Sequence, residues 1–223
     1  MLLATPLVLP IPVSAQVPPS QVTIETYQGL LEAAASGDVA TIDKLAAAGA
    51  DLNMRDGRGR TPLMVAANLR EYDAVRALCR NGADINSFDN DRYDVITIAA
   101  VADDPEMIRI AVAGGGDPTL ITRRYDGTAL IAAAHLGHGE VVKTLIISGA
   151  PLDHVNNLNW TALIEAIVLS DGGLRHTETV RALVAAGADL NIPDGNGIRP
   201  LTLARQRGYR DIFEILEAHG AKP

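Results

Sequence analysis

Residues 49–67 read GADLNMRDGRGRTPLMVAA, and the chain returns to nearly the same wording at 82–100, GADINSFDNDRYDVITIAA, and at 187–204, GADLNIPDGNGIRPLTLA. Aligned on the glycine of the Gly-Ala turn, the copies fall at Gly49, Gly82, Gly115, Gly149, Gly187 and Gly220, in steps of 33, 33, 34, 38 and 33 residues. A second marker stands 21 residues before most of these glycines, at Gln28, Thr61, Asp94, Thr128 and Arg199. Thr161 stands further back because its copy carries a five-residue insertion. A fixed period of this length predicts one small unit stacked on itself.

Each copy has the same local grammar. Thr61, Thr128 and Thr161 suit a helix N-cap, and Pro62 or Pro200 in the next position loses no needed N–H. A short alanine-rich helix follows, LMVAANL at 63–69 or LIAAAHL at 130–136. After a brief turn, a second helix carries apolar pairs at helical spacing, such as Val141, Val142, Leu145 and Ile146. It stops at the Gly-Ala turn, where glycine takes the left-handed conformation. A polar loop rich in Asp, Asn and Gly then leads to the next copy, DGRGR at 56–60 and DGNG at 194–197.

These residues resemble the ankyrin repeat, marked by T-P-L-H, G-H and G-A-D, over roughly 26–221. The resemblance implies an all-α fold: a solenoid of about six helix–turn–helix repeats with projecting β-hairpin loops. The repeats are expected at about 26–56, 57–89, 90–122, 123–156, 157–194 and 195–223. The family histidine of T-P-L-H is replaced throughout, by Leu31, Met64, Thr97, Ile131, Ile164 and Thr202. The third copy is the most eroded, with Gly-Gly-Asp-Pro at 115–118. One helix pair cannot bury its apolar face alone, so stability is expected from the interfaces between neighbours.

Composition narrows the function. Nearly half the residues are hydrophobic but 4% are aromatic, and alanine fills the difference, which favours close-packed helices. The net charge is −8, and no basic run exceeds Arg123-Arg124, so a nucleic-acid partner is not expected. The first 24 residues carry no charge; MLLATPLVLPIPVSAQ suits a signal-peptide apolar region cleaved after Ala15, although no Lys or Arg precedes it. Export to the periplasm or beyond is expected, with a signal peptide at 1–15 and a flexible segment at 16–25. Pro6, Pro10 and Pro12 interrupt a run already short for a membrane span. The single Cys79 permits no intramolecular disulfide.

No G-x-S-x-G, H-E-x-x-H, Cys pair or G-x-x-x-x-G-K-[ST] occurs, so no catalytic site, cofactor or metal is assigned. His135 and His138 lie three apart, but His138 occupies the structural Gly-His position and no third ligand is evident. Metal-dependent activity around this pair is the weaker alternative. Cys79 sits at a packing position, and Gly114-Gly115-Gly116 falls at the Gly-Ala turn, not at a phosphate cradle.

The resemblance implies protein binding through hairpin tips and first-helix ends on one concave face. Carried over, that face comprises Arg58, Arg60, Leu69, Tyr93, Val101, Tyr125, His135, Leu136, Trp160, Val168 and Leu169. The sole tryptophan falls here, near two of the five tyrosines, and such residues dominate binding hot spots. The expected function is a non-enzymatic module binding a partner protein; an inhibitor or immunity protein is the alternative. The insertion at 169–180 lengthens one turn, its Asp-Gly-Gly core free to bend. A polar last helix, with Arg210, Glu214 and Glu217, favours a monomer.

Overall fold

The computed structural model describes residues 17–121 and 125–223; the expected signal peptide lies outside them. Six helix pairs follow one another, each an inner helix and an outer helix. They are α2 (Leu30–Ala35) with α3 (Val39–Ala47), α4 (Pro62–Asn68) with α5 (Tyr72–Arg80), and α6 (Val95–Val101) with α7 (Pro105–Ala113). Then come α8 (Ala129–Leu136) with α9 (Gly139–Ile147), α10 (Ala162–Val168) with α11 (Leu174–Ala185), and α12 (Pro200–Arg207) with α13 (Arg210–Ala218). The segment expected to be flexible instead holds a one-turn helix, α1 (Gln21–Glu25), whose first turn is capped by Ser20 Oγ accepting from the Thr23 amide.

The predicted caps form. Thr61, Thr128 and Thr161 each accept from the backbone N–H three residues on, and Asp94 caps α6 in the same way. At the family-histidine position Met64 Sδ accepts from the Thr61 amide at 3.4 Å. Inner helices pack on inner helices and outer on outer, α4 against α2 and α6, α9 against α7 and α11. Leu63, Leu130 and Leu163 form an inner spine and Leu78, Leu145, Leu183 and Leu216 an outer one, all closed to solvent. Burying such a side chain is worth about 1.5–3 kcal/mol. The third copy packs closely at Gly114, where a Cβ would stand 2.6 Å from Cys79 Sγ and the thiol would have to shift.

The loops contain no strands among the described residues. Four of the hairpins are instead turns closed by two backbone bonds each: the Asp56, Asp89, Asn156 and Asp194 amides donate to the carbonyls of Arg60, Tyr93, Trp160 and Ile198, and the Gly59, Arg92, Asn159 and Gly197 amides donate back to the carbonyls of Asp56, Asp89, Asn156 and Asp194. An asparagine or aspartate ladder ties the Gly-Ala turns together: Asn53, Asn86, Asp153 and Asn191 accept from the amides of Asp84, Asp117, Asp189 and Lys222. The rung between the third and fourth repeats is missing. Its donor position is Pro151, which has no N–H, and Thr119 turns its hydroxyl to Asp117.

The insertion is not a free loop. Part of it extends α11 to 12 residues against 9 in α9. The rest is pinned, because Tyr209 Oη donates to the Ser170 carbonyl at 2.5 Å and its ring abuts Gly172.

Candidate functional site

The inner face is lined by hairpin residues just before each cap and by the last turn of each inner helix. Burial divides the expected contact residues. Arg60 and Tyr93 are 2% and 5% exposed, so neither offers a surface to a partner. Arg60 packs under its hairpin, with Nη2 2.7 Å from Asp56 Oδ2, Nη2 3.3 Å from Tyr27 Oη and Nη1 3.2 Å from the Val17 carbonyl. Tyr27 Oη in turn donates to Asp56 at 2.7 Å. Burial, then the Asp56 bond, pushes the Tyr27 hydroxyl up to about 12. Burial raises the Asp56 carboxyl, but the bonds from Tyr27 and Arg60 outweigh it and hold the group below its ordinary value. Tyr93 joins the main core.

The others stay accessible in part. Arg58 is exposed and bridges to Asp91 of the next hairpin at 3.7 Å. Leu69 caps α4 and packs beside Ile24, Leu31 and Val65, next to the N-terminal helix. Val101, Tyr125, Leu136, Trp160, Val168 and Leu169 are half-buried, with Val101, Trp160 and Val168 resting against the core. Leu158 adds an apolar hairpin tip, 38% exposed. The apolar, partly open part of the face therefore lies mainly on the third to fifth repeats, with Leu69 adding to it on the second.

Beneath it lies a polar group that reading by resemblance does not reveal. Glu165, on α10, is 4% exposed. Its Oε2 lies 3.1 Å from His135 Nδ1 on the neighbouring α8, and its Oε1 accepts from Asn156 Nδ2 at 3.0 Å. The Asn156 amide is oriented unambiguously, because its Oδ1 accepts from the backbone amides of Leu158 and Trp160. The signal was present in the register. The equivalent positions of other repeats hold Val65, Ile98, Ala132 and Leu203, all buried, and a carboxylate interrupts that row.

His135 and His138 are drawn to different partners. His138 is buried at the start of α9 and its Nδ1 donates to the Ala100 carbonyl at 2.9 Å, a tie between repeats. Among the described residues no cluster of three or more His, Cys, Asp or Glu is placed to hold a metal ion. Cys79 is half-buried and burial raises its thiol, the opposite of a nucleophile's need. It borders an outer-face groove of about 580 Å³. The arginines there, Arg76, Arg80 and Arg109, are paired to Asp73, Asp43 and Glu106. No helix among the described residues is long and apolar enough to cross a membrane.

The comparisons agree with this architecture. The chain matches the family described as Ankyrin repeats (3 copies) over residues 30–121, 96–194 and 130–223. The Escherichia coli (strain K12) ankyrin repeat protein YahD is 36% identical over 192 residues, 86% of this chain and 95% of that protein. An ankyrin repeat domain from Acinetobacter baumannii AYE superposes with a TM-score of 0.81 at 41% identity, covering 86% of this chain and 98% of that one. EF0377, another ankyrin repeat protein, superposes at 0.78 with 32% identity and the same coverage. Period, capped helix pairs, turn ladder and relatives converge: the chain belongs to the ankyrin repeat family.

Proposed function

We propose that this protein is a non-catalytic interaction module that binds a partner protein through the inner face of its third to fifth repeats. One observation carries the reading: Tyr125, Leu136, Trp160, Val168 and Leu169 stand half-exposed on adjacent repeats of a chain with few aromatics. Aromatic anchors ringed by aliphatic side chains are the usual composition of a hot spot. A solenoid also holds them in place before binding, which reduces the ordering cost of association.

The uncharged, apolar start of the sequence supports export, with binding in the bacterial envelope. An inhibitory or immunity role would use the same face. A chain in the solved structure of the Bdellovibrio bacteriovorus predatory endopeptidase Bd0816 in complex with immunity protein Bd3460 shares the fold at 23% identity and a TM-score of 0.69. That likeness carries the fold alone.

The test is capture in the native cell with a C-terminally tagged chain, comparing wild type with Leu136→Glu and Leu169→Glu. Loss of one co-purifying protein in both variants, at unchanged helicity, is expected. Equal recovery from all three would remove the inner face as the contact.

A further inference from the structure

We infer that the Glu165–His135–Asn156 group is a subsite for a lysine or arginine side chain of the partner protein. The inference rests on the inner-face reading above.

Burying Glu165 is costly. A buried carboxylate needs its lone pairs filled and its charge offset, and replacing such groups by well-packed aliphatics is often neutral or stabilising. This chain demonstrates the aliphatic solution at the same register with Val65, Ile98, Ala132 and Leu203. Glu165 departs from it in the interior of the stack, whereas Glu32 of the first repeat occupies that register exposed to water. Local departures from the packing rule concentrate where function requires them.

Two further residues are matched to the departure. In the other closed hairpins the position of Asn156 is aspartate: Asp56, Asp89 and Asp194. Their Oδ1 accepts from two loop amides, as Asn156 Oδ1 does. An aspartate at 156 would therefore aim its second oxygen at Glu165. Asparagine supplies a donor instead. His135 satisfies the other carboxylate oxygen, and its ring remains 18% exposed.

Asn156 Nδ2 donates to one Glu165 oxygen, and the tautomer of His135 with its proton on Nδ1 donates to the other. In the neutral imidazole Nε2 is then an acceptor, and it has no hydrogen-bond partner among the described residues. The group presents an acceptor backed by a negative charge, on a face that also carries Trp160, whose loop is held by Asn156. An acceptor with a carboxylate behind it suits a cationic side chain. The surrounding molecule carries a net charge of −8, which favours the same sign of partner.

The experiment selects a phage-displayed random dodecapeptide library on the full chain and measures the selected peptides against Glu165→Ile, Glu165→Gln and Trp160→Ala. Glu165→Ile restores the aliphatic register, and Glu165→Gln keeps the side-chain shape while removing the charge. The expected result is enrichment of peptides with a central Lys or Arg. Their affinity should fall about thirtyfold or more in both Glu165 variants, while Glu165→Ile melts no lower than wild type. Three outcomes overturn the subsite: no selected peptide, no basic enrichment, or selected peptides that bind the Glu165 variants within about threefold of wild type. Loss confined to Trp160→Ala would leave inner-face binding intact without the cation subsite. Indifference to all three variants would remove both.

Discussion

Asn156 donates to Glu165 across 3.0 Å from a hairpin position that is aspartate at the end of the first, second and fifth repeats. The two residues belong to one substitution in physical terms, since a carboxylate at 156 would face a buried carboxylate at 165. Asn156→Asp should cost about 2–3 kcal/mol in the wild-type background, the penalty of a buried polar group deprived of its partner. In a Glu165→Ile background the cost should shrink to below about 1 kcal/mol. Urea unfolding of the four chains in this cycle measures the coupling directly, and additive costs would deny it.

The Tyr27–Asp56–Arg60 group anchors the first hairpin. Arg60→Ala strands Asp56 without its cation and should cost about 3–5 kcal/mol. Tyr27→Phe removes one hydrogen bond and should cost about 1–2 kcal/mol. The pH dependence has opposite limits. The Asp56 carboxyl is held low, so its contribution is full above the ordinary carboxylate value and fades as pH falls through its folded value. The Tyr27 hydroxyl is held high, so its contribution persists below about 10 and fades as pH rises through about 12. Thermal melts of wild type and Tyr27→Phe should converge in strong alkali and diverge near neutrality.

Asp94 caps α6 from a buried position that holds threonine in the second, fourth and fifth repeats. Burial raises its carboxyl above the ordinary value, with the Thr97 amide only partly offsetting it. Between the unfolded and folded values the native state binds more protons, so this group's contribution to stability falls as pH rises. Asp94→Thr keeps a capping oxygen without the charge. It should raise the melting temperature at neutral pH, with the gain shrinking as the medium is acidified. A melting temperature lowered at neutral pH would show that the cap prefers its charge.

The missing rung between the third and fourth repeats can be rebuilt. Thr119→Asn with Pro151→Asp supplies the acceptor and the amide found at 86 and 117. One restored hydrogen bond should add about 1 kcal/mol to the unfolding free energy. Pro151→Asp alone should not, because the acceptor would still be absent. Denaturant midpoints of the single and double variants separate the two cases.

Much of the fold was legible because its determinants are local and repeated. The Gly-Ala turns, the threonine caps and the apolar pairs of the outer helices each act within a few residues, and the period multiplies the signal. The site was legible only in part. The residue before each cap is exposed or buried according to how its hairpin closes on the next repeat, so Tyr93 and Arg60 sank while Trp160 stayed half-open. The pinning of the insertion depends on Tyr209, 39 residues beyond Ser170. Nothing near Asp171-Gly172-Gly173 announces that contact. Glu165 was visible in principle, as a carboxylate among the aliphatic residues that the interior repeats place at this register, but its meaning required the positions of His135 and Asn156.

The claim that the inner face is the working surface is tested most directly by placing a photocrosslinking amino acid at Leu136, at Val168 and, as a control, at Ile147. Ile147 is 87% exposed on the outer helix α9. Irradiation in the native cell should join Leu136 and Val168 to one common protein and Ile147 to none. An adduct formed at Ile147 and absent from Leu136 and Val168 would contradict the account.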